Sequence, residues 1–122
     1  MKLIGSITEE DYRRDLKAGQ RFFLEDRRGR ELFARIKAKF PKLKTVSLLH
    51  WVPEQGEDVY EILIDDEAVL KVEVPHSFGH SDELDFEYIA LENYMLGLSR
   101  SSQIKLAVAL DLARAWPDVE MP

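Results

Sequence analysis

The stretch that decides the fold runs from residue 45 to residue 74 and reads TVSLLHWVPEQGEDVYEILIDDEAVLKVEV. It contains three runs rich in Val, Ile, Leu and aromatic residues, at 45–52, 59–64 and 68–74, separated by connectors that carry acidic residues. Connectors this short join consecutive strands only in antiparallel pairs. The stretch therefore predicts a three-stranded antiparallel meander.

The last of these runs also predicts how the two faces of the sheet differ. Side chains alternate across a strand, so Leu70 and Val74 share one face, whereas Val69, Lys71 and Glu73 share the other. The first face is apolar and belongs in the core. We expect the second face to meet water or a binding partner.

Two helices are predicted before the meander. Thr8 is followed three residues later by Asp11, which is a capping pattern, so the first helix should begin near Glu9. Beyond Gly29, apolar residues recur three and four positions apart until Pro41, which ends the second helix. The N-terminal third is therefore predicted to be helical.

Two further helices are predicted after the meander. Residues 84–95 carry apolar side chains on one helical stripe, with Ser81 or Asp82 as the cap. A last helix, apolar over more than one face, follows Ser99 and ends at Pro117. This final helix is expected to be well buried.

Together these elements predict an α+β fold in a single domain over residues 1–122. Its parts are two N-terminal helices, a three-stranded antiparallel meander and two C-terminal helices, with the helices packed on one face of the sheet. A chain of this length supports one core but not two comfortable ones. The content of 45% hydrophobic residues is typical of a chain that folds on its own.

Composition excludes several classes of site. The chain has no cysteine, which removes disulfide scaffolds, thiolate nucleophiles and cysteine-ligated zinc. No glycine-rich phosphate loop is present, and no cofactor is predicted. The N-terminal residues lack the apolar core of a signal peptide, and no apolar run is long enough to span a membrane. We therefore expect a cytoplasmic protein.

Charge is strongly segregated along the chain, whose net charge is −6. Residues 13–44 contain twelve Lys and Arg against four Asp and Glu, a local charge of +8. Residues 45–98 contain thirteen Asp and Glu against a single lysine, a local charge of −12. Such crowding of negative charge destabilises the free protein and favours binding to a partner rich in Lys and Arg. The complementary potentials of the two surfaces would increase the association rate and the specificity of the complex.

The acidic half therefore supplies the predicted partner-binding residues. They come from the connector between the second and third runs, from the stretch before residue 86, and from the start of the second run. The predicted contacts are Asp65, Asp66, Glu67, Asp82, Glu83 and Asp85, with Glu57, Asp58 and Tyr60 as second choices.

Two alternative functions remain open. The basic residues of 13–44 lie on or beside predicted helices, as in a nucleic-acid-associated regulator, although the acidic half disfavours a polyanion. His76 and His80 are four positions apart, and with Asp82, Asp85 or His50 they suggest a small metal-dependent enzyme. The Pro, Ser and Gly residues between these histidines indicate a loop, so the spacing implies no convergence, and we predict neither a metal site nor catalysis.

The chain resembles the immunity proteins of bacterial toxin systems, particularly those of contact-dependent growth inhibition. The stretches that carry the resemblance are VYEILIDDEAVLKVEVPH at 59–76 and the predicted helical LDFEYIALENYMLGLSRSSQIKLAVALDLA at 84–113, about half the chain together. The resemblance implies a cognate toxin, frequently a basic nuclease domain, held inactive by a protein that covers its active site or an adjoining surface. The expected function is thus inhibition of a basic toxin through acidic groups that stand in for nucleic-acid phosphates.

Overall fold

A computed structural model describes residues 7–77 and 83–115. Its elements are α1 (Ile7–Glu25), α2 (Arg27–Lys39), β1 (Val46–Glu54), β2 (Glu57–Ile64), β3 (Ala68–Pro75), β4 (Phe86–Ala90), α3 (Leu91–Met95) and α4 (Arg100–Arg114). The strands form one sheet in the order β1-β2-β3-β4, with every neighbouring pair antiparallel. The α+β class and the meander of β1, β2 and β3 are confirmed.

The predicted helix over residues 84–95 is wrong over most of its length. The chain forms β4 instead, and only the short α3 is helical. Phe86, Tyr88 and Ile89 have strong β propensity, and β3 offers an edge with which they pair. The sequence of this stretch is compatible with both a helix and a strand, and pairing with β3 stabilises the strand. The predicted caps at 81 and 82 lie outside the described residues.

Packing of the helices on one face of the sheet is also wrong, because apolar side chains are buried on both faces. On one face, Ile62 and Leu70 belong to a cluster that includes side chains of α1 and α2. On the other face, Leu63 and Val69 belong to a cluster that includes side chains of α1 and α4. The apolar residues at odd positions of β2 and β3 are thus shielded from water by side chains of α1 and α4.

The N-terminal helices are joined by a tight corner. The carboxylate of Asp26 caps α2 by accepting from the backbone N–H groups of Arg28 and Gly29. A Cβ atom at Gly29 would lie 1.9 Å from the carbonyl oxygen of Phe22, so only glycine allows α2 to approach α1 this closely. Of the helices in residues 7–77 and 83–115, none is long and apolar enough to cross a bilayer.

Candidate partner-binding surface

An acidic surface lies at one end of the sheet, on the face that carries Lys71. Strand register places Lys71 directly opposite Glu87 of β4, and alternation puts Glu73 and Glu57 on the same face. These residues line a shallow depression of about 500 Å³ together with Glu83 and Asp85. We call this surface the acidic sheet face and define it by six residues: Glu57, Lys71, Glu73, Glu83, Asp85 and Glu87.

The acidic sheet face carries five carboxylates around one ammonium group. Four of the carboxylates are exposed, and Glu57 is half-buried. Within the described part of the chain, none of the five forms an ion pair or accepts a side-chain hydrogen bond. The Lys71 ammonium group offsets part of their mutual repulsion, and the negative charge that remains suits the surface to a cationic partner.

Three of the predicted contacts lie on this surface. Glu57, Glu83 and Asp85 were predicted contacts, and the structure brings them together. Glu73 and Glu87 also lie on this surface but were not among the predicted contacts. The alternation of β3 was the available signal for Glu73, since it shares a face with Lys71, whereas Glu87 was assigned to a helix. Asp82 lies outside the described residues.

The predicted contacts Asp65, Asp66 and Glu67 lie at the opposite end of the sheet, in the turn between β2 and β3. We call these three residues the acidic turn. Asp65 is eight positions beyond Glu57, roughly 26 Å along the extended chain. The acidic turn is therefore remote from the Glu57 end of the acidic sheet face.

The acidic turn makes internal contacts. Asp65 has a φ of +50°, and its Oδ1 accepts from the backbone N–H groups of Lys44 and Thr45 at 2.9 and 2.7 Å. Asp66 pairs with Arg114 at 3.5 Å. Lys42 and Lys44 line a shallow depression together with the three residues of the acidic turn. The turn thus holds the segment that enters β1, and cations of the chain itself surround it.

The second-choice contacts Asp58 and Tyr60 point away from the acidic sheet face. Asp58 lies 3.3 Å from His76 Nε2 and 3.9 Å from the Arg28 guanidinium. Tyr60 is only 4% exposed and stacks on Phe22, with ring centroids 5.6 Å apart. Burial raises the pKa of the Tyr60 hydroxyl. Tyr60 is therefore a core residue with little surface to offer a partner.

The histidines are not brought together. His76 follows β3 and pairs with Asp58, whereas His50 lies on β1 opposite Glu61. His80 is outside the described residues. Across residues 7–77 and 83–115, no group of three or more His, Asp or Glu side chains is placed to hold a metal ion.

A half-buried polar cluster that sequence reasoning missed occupies the other part of the Lys71 face. Tyr94 of α3 donates to Glu61 Oε1 at 2.6 Å. Burial and this hydrogen bond to Glu61 raise the pKa of Tyr94. Burial lowers the pKa of His50, which Glu61 partly opposes, and burial also lowers the pKa of Lys105. Glu61 is thereby engaged internally, and it marks the limit of the acidic sheet face.

The basic run of residues 13–44 is also partly engaged in internal contacts. Arg13 donates to Asp111 of α4 at 2.8 Å, and Arg28 donates to the carbonyl oxygens of Pro75 and His76. Several others contact groups of the chain itself: Arg14 with Asp11, Arg35 with Glu31, Lys37 with the Leu43 carbonyl, and Lys39 with the Phe86 ring. Arg13, Arg28 and Lys39 therefore connect the N-terminal helices to other elements, whereas Arg14 and Arg35 pair within their own helices.

Comparison with known proteins adds no relative to this description. No protein-family model matches the chain, and neither a curated protein nor a solved structure matches it. The functional assignment accordingly depends on the chemistry of the surfaces described above.

Proposed function

We propose that this protein is a protein-binding inhibitor, an immunity protein that neutralises a cognate bacterial toxin through the acidic sheet face. The observation that carries the proposal is the arrangement of five carboxylates around Lys71 with no ion pair among the described residues. A surface of this kind gains most from a partner that supplies Lys and Arg side chains.

The geometry suits inhibition of a basic domain. Glu57, Glu73 and Glu87 project from three paired strands, so the sheet sets their spacing and little backbone entropy is lost when a partner binds. A nuclease that binds nucleic-acid phosphates presents the complementary charge. The proposed partner is therefore a basic toxin, and the proposed place of action is the cytoplasm, where the substrate of such a toxin is found.

The test is neutralisation of a toxin by matched variants. Wild-type protein is used to co-purify partners from nuclease-treated lysate of the native cell, and each retained basic protein is expressed alone and together with it. We expect one retained protein to arrest growth alone and to be harmless when co-expressed. The triple substitution Glu57→Gln, Glu73→Gln and Glu87→Gln should weaken the complex by at least about tenfold and restore toxicity, since buried charge pairs contribute several kcal/mol in total.

The control variant carries Asp66→Asn and Glu67→Gln in the acidic turn, at the other end of the sheet. It removes exposed carboxylates without touching the acidic sheet face, and it should protect cells as well as wild type does. Protection lost equally in both variants would contradict a role for this particular surface. Retention of nucleic acid alone, or of proteins without toxic activity, would overturn the inhibitor proposal.

A further inference from the structure

Strand β4 lies at the end of the sheet, and its outer edge pairs with no strand in residues 7–77 and 83–115. The opposite edge strand, β1, packs beside α1 and α4, whereas β4 packs against β3 and the short α3. In an antiparallel pair, alternate residues direct their N–H and C=O groups away from the neighbouring strand. The outer edge of Phe86–Ala90 therefore presents backbone donors and acceptors that no other described strand satisfies.

The two faces beside this edge have different chemistry. On one face lie Glu87 and the rest of the acidic sheet face. On the other lie Phe86 and Tyr88, which share the alternate positions of β4. Tyr88 is 55% exposed, and its ring stacks on that of Phe40 with centroids 6.2 Å apart. A strand added at this edge would meet carboxylates on one side and an exposed aromatic ring on the other.

We infer that β4 accepts an extended segment of the basic partner as a fifth strand of the sheet. The segment alternates Lys or Arg, which lie over Glu87 and its neighbours, with apolar or aromatic residues, which lie over Tyr88. Backbone hydrogen bonds to β4 supply affinity, and the alternating side chains supply specificity, as in other cases of strand addition. This inference rests on the proposed function and names the form in which the partner binds.

A second copy of the chain is a poor occupant of the same edge. Antiparallel pairing of β4 with its own copy would place Glu87 and Asp85 close to the acids of the other chain. Like charges directly opposite each other on paired strands are destabilising. Acidic side chains along the edge thus oppose self-association while they favour a basic strand.

The test uses a synthetic peptide that alternates Lys with Val and Thr, titrated into the full-length protein and followed by NMR and by hydrogen exchange. A matched peptide carries N-methyl groups on alternate residues, so it keeps every charge but cannot donate from one edge. We expect the unmodified peptide to protect the amides of 86–90 from exchange. We expect the N-methylated peptide to bind at least about tenfold more weakly, because two or more backbone hydrogen bonds are lost.

The outcomes separate this inference from the proposed function. Equal binding of both peptides would overturn strand addition, since charge alone would then explain the affinity. Failure of the unmodified peptide to bind, or protection confined to residues outside β4, would overturn it as well. None of these results bears on whether a toxin is neutralised, which the co-expression experiment measures by itself.

Discussion

The acidic turn and the acidic sheet face look alike in the sequence, yet they do different work in the fold. In the turn, Asp65 accepts backbone hydrogen bonds from Lys44 and Thr45, and Asp66 pairs with Arg114. On the sheet face, five carboxylates surround Lys71, and none forms an ion pair in the part of the chain that the structure describes. Acidic density alone therefore does not identify a binding surface.

The difference has a physical cause. A carboxylate that accepts hydrogen bonds from otherwise unsatisfied backbone N–H groups stabilises the folded state, and removing it leaves those groups without a partner. A carboxylate held beside other carboxylates is repelled by them, and this repulsion is relieved further when a cationic partner binds. The acidic turn and the acidic sheet face are therefore distinguished by the contacts of each carboxylate and not by its position in an acidic run.

The largest expected effect is at Asp65. Asp65→Ala should lower the free energy of unfolding by about 3 kcal/mol, because it removes an ionised acceptor and leaves at positive φ a side chain that cannot form hydrogen bonds. Chemical denaturation measures this change. Asp65→Gly relieves the backbone strain but not the lost acceptor and should cost about 1 kcal/mol less than Asp65→Ala. If the alanine variant were as stable as wild type, the acidic turn would contribute no more to the stability of the fold than the acidic sheet face does.

A smaller effect is expected at Tyr94, which tests whether Glu61 is engaged internally. Tyr94→Phe removes the hydroxyl that donates to Glu61 and should lower the free energy of unfolding by about 1 kcal/mol. The control is Tyr88→Phe, whose ring is 55% exposed on β4 and should change stability by less than about 0.5 kcal/mol. Equal effects in the two variants would mean that the hydrogen bond from Tyr94 to Glu61 does not stabilise the fold.

The pH dependence of stability tests the same cluster through His50. Burial lowers the pKa of His50 in the folded state below the value of about 6.5 that it has in the unfolded chain. The unfolded state therefore binds more protons just below that pH, and the free energy of unfolding should decrease as the pH falls. Denaturation of wild type and His50→Gln between about pH 5 and pH 8 isolates this contribution. Identical pH profiles would show that His50 titrates as an exposed group.

The smallest effect, and one of opposite sign, is expected on the acidic sheet face. Glu73→Gln with Glu87→Gln should leave the free energy of unfolding unchanged or raise it by up to about 0.5 kcal/mol, because repulsion is relieved and no described ion pair is lost. Any gain should shrink at high salt, where repulsion between exposed charges is screened. A clear loss of stability would mean that these carboxylates serve the fold, as Asp65 does.

Residues 86–90 form a strand where a helix was predicted, which shows that a local sequence pattern does not always determine secondary structure. Residues 84–95 satisfy a helical stripe, and their β-branched and aromatic content also suits a strand. A helix satisfies its backbone within itself, whereas β4 requires β3 as a partner, and that partner is known only once the meander has formed. The short connectors predicted the antiparallel meander of β1, β2 and β3. The apolar residues Leu63 and Val69 are buried on the second face of the sheet, which the predicted packing on one face did not include.

By itself the sequence determined the α+β class, the antiparallel meander and the concentration of acidic residues in residues 45–98, because these follow from local periodicity, connector length and composition. Only the tertiary structure decided which carboxylates are free. Asp65 reaches Thr45 across 20 positions of sequence, and Arg114 reaches Asp66 across 48. Contacts over such separations depend on how the sheet and helices assemble, and so does the open edge of β4 that completes the proposed binding surface.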